Sequence, residues 1–497
     1  MKQLSALDAN FLHMETATTV GHVSSLNIYD PSDAPGGGGY EATMRLVAER
    51  IALLVPLTRR LVEVPFGLDL PYWVEDPVFD LDFHIRHHAV PPPGNDQQLS
   101  EVVSRIVARP LDRTRPLWEL YVIEGLEGGR IAQLTKVHHA TIDGAAGAEM
   151  LMALLDPDPD WRPAVRPVDA QRAVGASDQL PSGAELLRLT ALEYLRRPEK
   201  ALRLNLRLVR QLASGPNGAG IKPLADLVAQ PIPGALGNLL RRRLRSVPDS
   251  EVDTPPALPS TPAPRTPWNA AITAHRRFAF TTLTLDDAKI VRRAYGTTFN
   301  DVVMALCSGA LRTYLTKHDA LPDDPLIAMV PVSLRTGGES ETYQNRVSML
   351  LAELATDEPD PVKRLLRIRS SMNSAKGMHA AMLAETLMDL GQFAPPAIAA
   401  RATRLALRTA VDRMHPPFNL TISNVPGPQM PLYSAGARLL HFYPVSIVTD
   451  GQGLNMTVQS YNGNLDFGFI VCRDLVPDVW DLCDYLHDAM KELLATC

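Results

Sequence analysis

The sequence predicts an α/β protein built from two mixed-sheet domains that are joined by a long linker. Segments with strand-like and helix-like patterns alternate near both ends of the chain. The region between them is rich in proline, and 497 residues are ample for two hydrophobic cores. A ligand channel is expected between the two domains, because clefts between domains are common binding sites.

The N-terminal domain is expected to span residues 1–160. Residues 20–30 alternate and are rich in β-forming side chains, which predicts a strand. Residues 40–54 have helical periodicity, and residues 79–90 predict a further strand.

Residues 161–268 are expected to form the linker. Seven prolines fall between 248 and 267, a composition that disfavours packed helices and strands. Residues 183–213 place leucine and arginine at helical spacing, which predicts a basic amphipathic helix. Two roles stay open for this helix: contact with an anionic lipid surface, or packing on the domains with its arginines solvated.

The C-terminal domain is expected to span residues 269–497. A strand at 275–285 precedes a helix at 286–296 that ends at Gly296, and a long helix follows at 300–318. The remaining predicted elements are a strand at 325–335, helices up to residue 413, strands at 418–428 and 440–448, a hairpin at 454–473 that turns at Asn462-Gly463, and a last helix at 476–495.

The composition argues against several classes of function. A formal net charge of −6 disfavours a nucleic-acid-binding protein, because such a protein needs a basic surface. The N-terminus lacks the apolar segment of a signal peptide, and no apolar run reaches the roughly 18 residues of a spanning helix. Four cysteines without metal-like spacing predict reduced thiols in the cytoplasm. Any membrane contact is therefore expected to be peripheral.

The segment KVHHATIDGAAG carries the candidate chemistry. Residues 118–123 and 131–137 predict two strands joined by a tight turn, and the second strand leads into His138-His139. Asp143-Gly144 then opens a predicted helix. A strand-to-helix junction of this kind holds side chains firmly at the edge of a cleft, which suits catalytic groups.

The adjacent histidines predict one working general base. Successive residues of an extended strand point to opposite faces, so only one of His138 and His139 can face a given channel. A histidine with an ordinary pKa of about 6.5 can take the proton of an alcohol as its oxygen attacks a thioester. Two alternatives stay open, namely a metal site made by both histidines and Asp143, and purely structural histidines.

Several motifs together resemble the bacterial wax ester synthase/acyl-CoA:diacylglycerol acyltransferase family. The resemblance covers nearly the whole chain and extends to the wider fold of chloramphenicol acetyltransferase and nonribosomal-peptide condensation domains. The motifs that carry it are LSALDANFL, RPLWELYVIEGL, VHHATIDG, FNDVVMALCSGALR, VPVSLR and ISNVPGP. The resemblance implies two chloramphenicol-acetyltransferase-like domains with an active-site channel between them.

The resemblance also implies roles for single residues. His139 corresponds to the general base of the family, with His138 and Gly144 as supporting residues. Asp143 is implied to be structural and to form an ion pair, for which Arg335 is the predicted partner. Asn300 matches a family asparagine and has two interpretations, helix capping and an active-site hydrogen bond.

The implied reaction moves a long acyl chain from acyl-CoA to the hydroxyl of diacylglycerol and forms triacylglycerol. Long-chain fatty alcohols are a second expected acceptor, which would give wax esters. No metal or cofactor is implied, because acyl-CoA is a substrate. The expected location is the cytoplasm, with peripheral contact to the inner membrane face or to lipid droplets.

Two other functions stay open at this stage. One is a non-catalytic lipid-binding or lipid-droplet protein of the same fold. The other is a condensation-type acyltransferase that uses a carrier-protein thioester. Release of free thiol from acyl-CoA in the presence of diacylglycerol distinguishes the acyl-CoA-dependent enzyme from the lipid-binding protein.

Overall fold

The computed structural model describes residues 1–141, 153–160, 180–196, 262–333, 347–379 and 415–497. The strands in these ranges are β1 (Lys2–Gln3), β2 (His22–Asp30), β3 (Arg59–Val62), β4 (Tyr72–Glu75), β5 (Ile85–Ala89), β6 (Trp118–Glu124), β7 (Ile131–His138), β8 (Arg276–Thr284), β9 (Ile327–Ser333), β10 (Val347–Glu353), β11 (Leu420–Val425), β12 (Tyr433–Ser434), β13 (Ala437–Val445), β14 (Leu454–Tyr461) and β15 (Asn464–Cys472). The helices are α1 (Ala6–Met14), α2 (Tyr40–Arg50), α3 (Leu81–His84), α4 (Asp96–Val107), α5 (Gly183–Arg196), α6 (Leu285–Tyr295), α7 (Phe299–Lys317), α8 (Pro361–His379) and α9 (Trp480–Leu494). Within the described residues, none of these helices is both long and apolar enough to cross a membrane.

The first lobe is built on a six-stranded mixed sheet with the strand order β12-β13-β2-β7-β6-β5. β5 runs parallel to β6, and the other neighbours are antiparallel. On one face, Trp118, Leu120 and Val122 of β6 pack with Val47 of α2, as the alternation of β6 predicts. A small sheet, β1-β4-β3, lies beside this sheet and shares a hydrophobic cluster with α1.

The second lobe is built on another six-stranded mixed sheet, β10-β9-β11-β14-β15-β8. Its core combines the sheet with α6, α7, α8 and α9. α6 ends at Gly296, whose φ of 60° is the left-handed conformation that glycine adopts without strain. The β14–β15 hairpin turns at Asn462-Gly463, both at positive φ. These features and the two mixed sheets confirm the predicted fold class.

α4 joins the two lobes along a seam. Its side chains Leu99 and Val103 share one hydrophobic cluster with Ile123 of the first sheet and Phe278 of the second. The Oγ of Ser104 accepts a hydrogen bond of 2.9 Å from the backbone nitrogen of Phe278, and the Ser100 hydroxyl donates to the Phe278 carbonyl. Because β8 is an edge strand, these serines satisfy backbone groups that would otherwise be exposed.

The predicted domain boundary at residue 269 is wrong for one segment. β12 and β13 come from the predicted C-terminal domain but belong to the first sheet, where β13 pairs with β2. β13 also lies against β15 of the second sheet. A Cβ on Gly468 of β15 would lie 1.9 Å from the Pro444 carbonyl oxygen, so only glycine fits this backbone approach. The first lobe therefore contains residues from both halves of the chain, whereas the second sheet is built from the C-terminal half alone.

The predicted linker, residues 161–268, is also too long at its end. Residues 262–268 pack on the second lobe, where Trp268 is fully buried and its Nε1 donates to the Asn419 carbonyl at 3.0 Å. The predicted amphipathic helix is described only as α5. Leu186 and Thr190 on one face of α5 are buried, and Gly183 lies beside Pro65. This part of the segment packs on the first lobe, and residues 197–213 lie outside the described residues.

Two further elements differ from the predictions. The predicted strand at 79–90 begins with a helical turn, α3, because the Asp80 side chain caps it by accepting from the Asp82 nitrogen. β10 falls in a region for which helices were predicted. It pairs with β9 in antiparallel register over its whole length. Short apolar runs do not distinguish strand from helix by periodicity, and pairing with β9 decides the outcome.

Candidate active site

The backbone of the histidine pair is held from both sides. β7 ends at His138, whose nitrogen donates to the Leu117 carbonyl at 2.9 Å. The His139 nitrogen donates to the Gly21 carbonyl at 2.8 Å, and the Thr141 nitrogen closes a turn onto the His138 carbonyl at 2.8 Å. Since both sides of the turn are hydrogen-bonded, the two imidazoles project from a fixed frame.

The imidazole of His138 is buried, with a hydrogen bond at one ring nitrogen and a carboxylate close to the other. Its side chain is 1% exposed, and Nδ1 accepts a hydrogen bond of 3.0 Å from the Ala140 nitrogen. An accepting Nδ1 places the ring proton on Nε2. Nε2 lies 3.3 Å from Oε1 of Glu15, which is an ion-pair distance without the alignment of a hydrogen bond.

Glu15 is a largely buried anion, 11% exposed, that contacts the first histidine of the pair. Its Oε1 accepts from the Gly21 nitrogen at 2.9 Å, and its Oε2 accepts from Nε and Nη2 of Arg113 at 3.0 and 2.7 Å. Burial raises the pKa of the Glu15 carboxyl, but His138, the Gly21 amide and Arg113 outweigh burial and lower it to about 2. The carboxylate is therefore charged at any physiological pH.

His139 has a different setting. It is partly exposed, and its ring stacks on Phe11 of α1 with centroids 4.0 Å apart and planes 9° from parallel. Aromatic stacking of this kind contributes about 1 kcal/mol beyond the buried area, so it favours one ring orientation. α1 thus contacts His139 through Phe11, and Glu15, the residue after α1, contacts His138.

The histidine turn lies close to the seam between the lobes. The loop from Glu15 to Gly21 bonds to the histidine turn at one end, and within this loop the Thr18 carbonyl accepts a hydrogen bond from Arg276 of β8. Arg276 is buried, and burial lowers its guanidinium pKa. One short loop therefore contacts both the candidate base and the second lobe.

Further buried basic groups lie on β2 and β7 on the same side as His138. His22 pairs with His138 across the strands, and its Nε2 donates to the Val107 carbonyl of α4 at 2.9 Å. Burial, followed by the charge of Lys136 and by His138, lowers the pKa of His22 well below its ordinary value. Lys136 donates to the Arg109 carbonyl at 2.6 Å and contacts Glu119 at 3.4 Å. These groups anchor the end of α4 under the site.

Asn300 does not cap α7, so that interpretation of the sequence is wrong. The N-cap is Thr298, whose side chain accepts from the Asp301 nitrogen while the Asp301 carboxylate accepts from the Thr298 nitrogen. Asn300 is the second residue of the helix. Its Oδ1 accepts a hydrogen bond of 3.3 Å from Nδ2 of Asn424 on β11. The structure thus pairs two asparagines from the FNDVV and ISNVPGP motifs.

Three predicted site residues lie outside the described residues, namely Asp143, Gly144 and Arg335. The sequence reasoning missed three others: Phe11, Glu15 and Arg113. Phe11 belongs to the LSALDANFL motif and Glu15 follows it closely, so this motif was the available signal. Arg113 gave none, because its partner is far away in the sequence.

The alternative metal site needs Asp143 beside both histidines, and Asp143 lies outside the described residues. No group of three or more His, Cys, Asp or Glu side chains in the described part of the chain is arranged to hold a metal ion. Nδ1 of His138 already accepts a hydrogen bond from the Ala140 amide, and its Nε2 carries the ring proton and lies close to Glu15. Neither nitrogen of His138 offers a free lone pair to a metal.

Comparisons with known proteins give consistent matches. A family model for the wax ester synthase/diacylglycerol acyltransferase catalytic domain matches residues 4–303, and the C-terminal domain model of that family matches residues 343–494. A putative diacylglycerol O-acyltransferase of Mycobacterium tuberculosis is 35% identical over 99% of this chain and 90% of its own length. The O-acyltransferase WSD of Acinetobacter baylyi is 34% identical over 99% of this chain and 96% of its own length.

Solved structures agree with these sequence matches. The wax ester synthase/diacylglycerol acyltransferase from Marinobacter aquaeolei VT8 is similar with a TM-score of 0.66 and 31% identity, covering 100% of this chain and 99% of that one. The first condensation domain of the CDA synthetase has a TM-score of 0.53 at 14% identity, covering 99% of this chain and 96% of that one. The second similarity concerns the fold alone.

Proposed function

Because this chain belongs to the wax ester synthase/diacylglycerol acyltransferase family and is an acyltransferase, we propose that it transfers a long acyl chain from acyl-CoA to diacylglycerol. Long-chain fatty alcohols are the second acceptor, in keeping with the name of the Marinobacter enzyme, a wax ester synthase. His139 acts as the general base.

The different settings of the two histidines carry this proposal. His138 is 1% exposed, its Nδ1 accepts from the Ala140 amide and its Nε2 lies 3.3 Å from Glu15, so it has no access to a substrate proton. His139 is partly exposed, stacked on Phe11 and positioned next to the seam between the lobes. The imidazole of the pair that an acceptor can reach is therefore that of His139.

The chemistry needs only proton transfer and a direct attack. The acceptor oxygen attacks the thioester carbonyl carbon while its proton moves to a ring nitrogen of His139. A C–O bond forms, the tetrahedral intermediate collapses, and the C–S bond breaks. The leaving CoA sulfur takes the proton from the imidazolium and departs as a thiol. Each buried methylene of the acyl chain adds about 0.8 kcal/mol, so long chains are preferred over acetyl.

We further propose that the protein works at a lipid surface, since its acceptors are insoluble in water. Phe66 supports this view, because it is 83% exposed at a loop tip with a positive φ of 61°. Leu68 beside it is 43% exposed. Phe66→Ser should lower the fraction of protein that co-sediments with vesicles containing diacylglycerol. Val78→Ser, at another exposed apolar position, should leave this fraction unchanged. If both variants bound the vesicles as well as the parent protein, the loop that carries Phe66 would not contact the lipid surface.

Thiol release from palmitoyl-CoA tests the proposed reaction. The parent protein should release thiol with diacylglycerol and with hexadecanol, and His139→Ala should reduce turnover by roughly 10²-fold or more without unfolding the protein. His88→Ala is the matched control, because His88 belongs to the other histidine pair and is exposed on β5. Turnover by His139→Ala at the parent rate would exclude His139 as the base. Binding of lipid without thiol release would indicate a non-catalytic lipid-binding protein.

A further inference from the structure

The N-terminal motif LSALDANFL supplies no group to the proposed proton transfer. The structure shows that it forms most of α1 and that the end of this helix meets the histidine pair. Phe11 contacts His139, and Glu15, the residue that ends the helix, contacts His138. α1 therefore contributes side chains to the same site as β7.

We propose that Glu15 is a positioning residue for acyl transfer, whose largely buried carboxylate, held by Arg113, fixes the orientation of His138 and the backbone from which His139 projects. This inference rests on the proposed function. It assigns Glu15 no contact with the substrate and no proton transfer.

Three N–H groups donate to the two oxygens of Glu15, and Nε2 of His138 lies close to one of these oxygens. The Gly21 nitrogen and Nε2 of His138 face Oε1, at 2.9 and 3.3 Å. Nε and Nη2 of Arg113 donate to Oε2, at 3.0 and 2.7 Å. Because the three hydrogen-bonded groups are donors and reach both oxygens, the site accepts a carboxylate but not its amide. In a glutamine, either orientation of the side chain would bring an NH₂ group against another donor.

The contacts of Glu15 continue to both sides of His139. On one side, Glu15 holds the Gly21 nitrogen, and the Gly21 carbonyl holds the His139 nitrogen at 2.8 Å. On the other side, Glu15 lies 3.3 Å from Nε2 of His138, and Nδ1 of the same ring accepts from the Ala140 nitrogen at 3.0 Å. The residues that flank His139 are thus both fixed through one carboxylate.

Arg113 also ties this carboxylate to α1. Its Nη2 donates to the Leu12 carbonyl at 2.6 Å, in the last turn of the helix. Arg113 has a second acidic partner, Glu63, at 3.4 Å from Nη1, but that side chain is 64% exposed. An exposed ion pair contributes little, so Glu63 provides the matched control for Glu15.

The test compares Glu15→Gln, Arg113→Lys and Glu63→Gln in the full-length protein by thiol release. Glu15→Gln should lower kcat at least tenfold with KM changed less than twofold, and Arg113→Lys should lower kcat by less. Glu63→Gln should keep the parent kcat. If Glu15 only stabilised the fold, its substitution would lower the thermal midpoint of unfolding. A fall in kcat at an unchanged thermal midpoint therefore indicates a positioning role.

Nitrogen-15 NMR of histidine-labelled protein gives a readout that does not depend on activity. The protonated Nε2 of His138 should be seen in the parent protein, in Glu63→Gln and in His139→Ala, and should be altered in Glu15→Gln. If no acceptor supports thiol release, the proposed function fails while this signal still tests Glu15. Parent kcat in Glu15→Gln, with His139→Ala inactive, would overturn the inference. The inference would also fail if the loss of activity matched the fraction of unfolded protein while the His138 signal stayed unchanged. Arg113→Lys is the second variant to measure if Glu15→Gln does not fold.

Discussion

His138 and His139 are identical side chains with different chemical capacity, and their neighbours cause the difference. His138 has each ring nitrogen against a protein group, the Ala140 amide and the Glu15 carboxylate. His139 contacts the face of Phe11 and keeps part of its surface exposed. Strand alternation predicted that only one of the two could face a channel, but the carboxylate beside Nε2 of His138 comes from Glu15, which is distant in the sequence.

Gly21 provides space for the His138 imidazole, which yields a prediction at the residue scale. A Cβ at this position would lie 2.6 Å from Nε2 of His138 and 3.0 Å from the Phe11 carbonyl oxygen. Gly21→Ala should therefore displace the ring and lower kcat roughly 10- to 100-fold, the cost of a small misplacement in a catalytic site.

Steady-state thiol release measures this effect. Gly36→Ala is the control, since a Cβ there would meet its nearest atom, Nη2 of Arg45, at an ordinary 3.7 Å. Parent-like kcat in Gly21→Ala would mean that the site does not depend on the position of His138.

His84 predicts a pH dependence of stability. Its Nδ1 donates to the Trp118 carbonyl at 2.7 Å, its ring stacks on Trp118 and Phe79, and its Nε2 is buried without a partner in the described part of the chain. Burial lowers the pKa of His84 to about 4. The unfolded chain binds this proton near pH 6.5, so the stability that His84 contributes is complete above pH 6.5. It is lost as the pH falls towards 4, by on the order of 3 kcal/mol.

Urea unfolding between pH 7 and pH 4 tests this prediction. His84→Phe keeps an aromatic ring in the stack but cannot titrate, so its free energy of unfolding should depend less steeply on pH. Identical pH profiles for the parent and His84→Phe would show that another group is responsible.

At the scale of elements, the N-cap of α7 is not the residue that the sequence motif suggested. The FNDVV motif suggested Asn300 as the cap, but the chain enters the helix earlier, and Thr298 and Asp301 cap each other. Thr298→Ala should lower the free energy of unfolding by about 1 kcal/mol, the usual value of an N-cap.

Equilibrium urea unfolding measures the capping prediction. Asn300→Ala should change stability by less, because the Asn300 side chain bonds to Asn424 at the partly buried surface and not to the helix terminus. The assignment of the cap would be wrong if Asn300→Ala destabilised the protein more than Thr298→Ala.

Most elements were predicted correctly because their signals are local. The glycine that ends α6, the Asn462-Gly463 turn and the alternation in β6 all act over a few residues. α3 and β10 were missed because a side-chain cap and a pairing partner override the local pattern there. Glu15 and Arg113 were missed because their contact forms only in the tertiary structure, between residues 98 positions apart in the sequence.

At the scale of the molecule, the two lobes meet through backbone as well as side chains. A Cβ on Gly468 would lie 1.9 Å from the Pro444 carbonyl oxygen and 3.2 Å from the Phe278 ring. Gly468→Ala should therefore force β13 and β15 apart, destabilise the protein by about 1–3 kcal/mol or more, and lower kcat by shifting the seam.

Urea unfolding and thiol release together measure the effect of Gly468→Ala, again against Gly36→Ala. A variant with parent stability and activity would show that the seam tolerates separation of the two sheets at this point.

The sequence by itself determined the fold class, most of the elements and the histidine pair, because periodicity, turn residues and motifs are properties of neighbouring residues. Only the tertiary structure decided that β13 joins the first sheet, that Trp268 belongs to the second lobe, and that Glu15 and Arg113 support the histidines. Each of these outcomes depends on burial and hydrogen bonding between residues far apart in the chain. No local pattern encodes such partners, since their free energy exists only after the chain has folded.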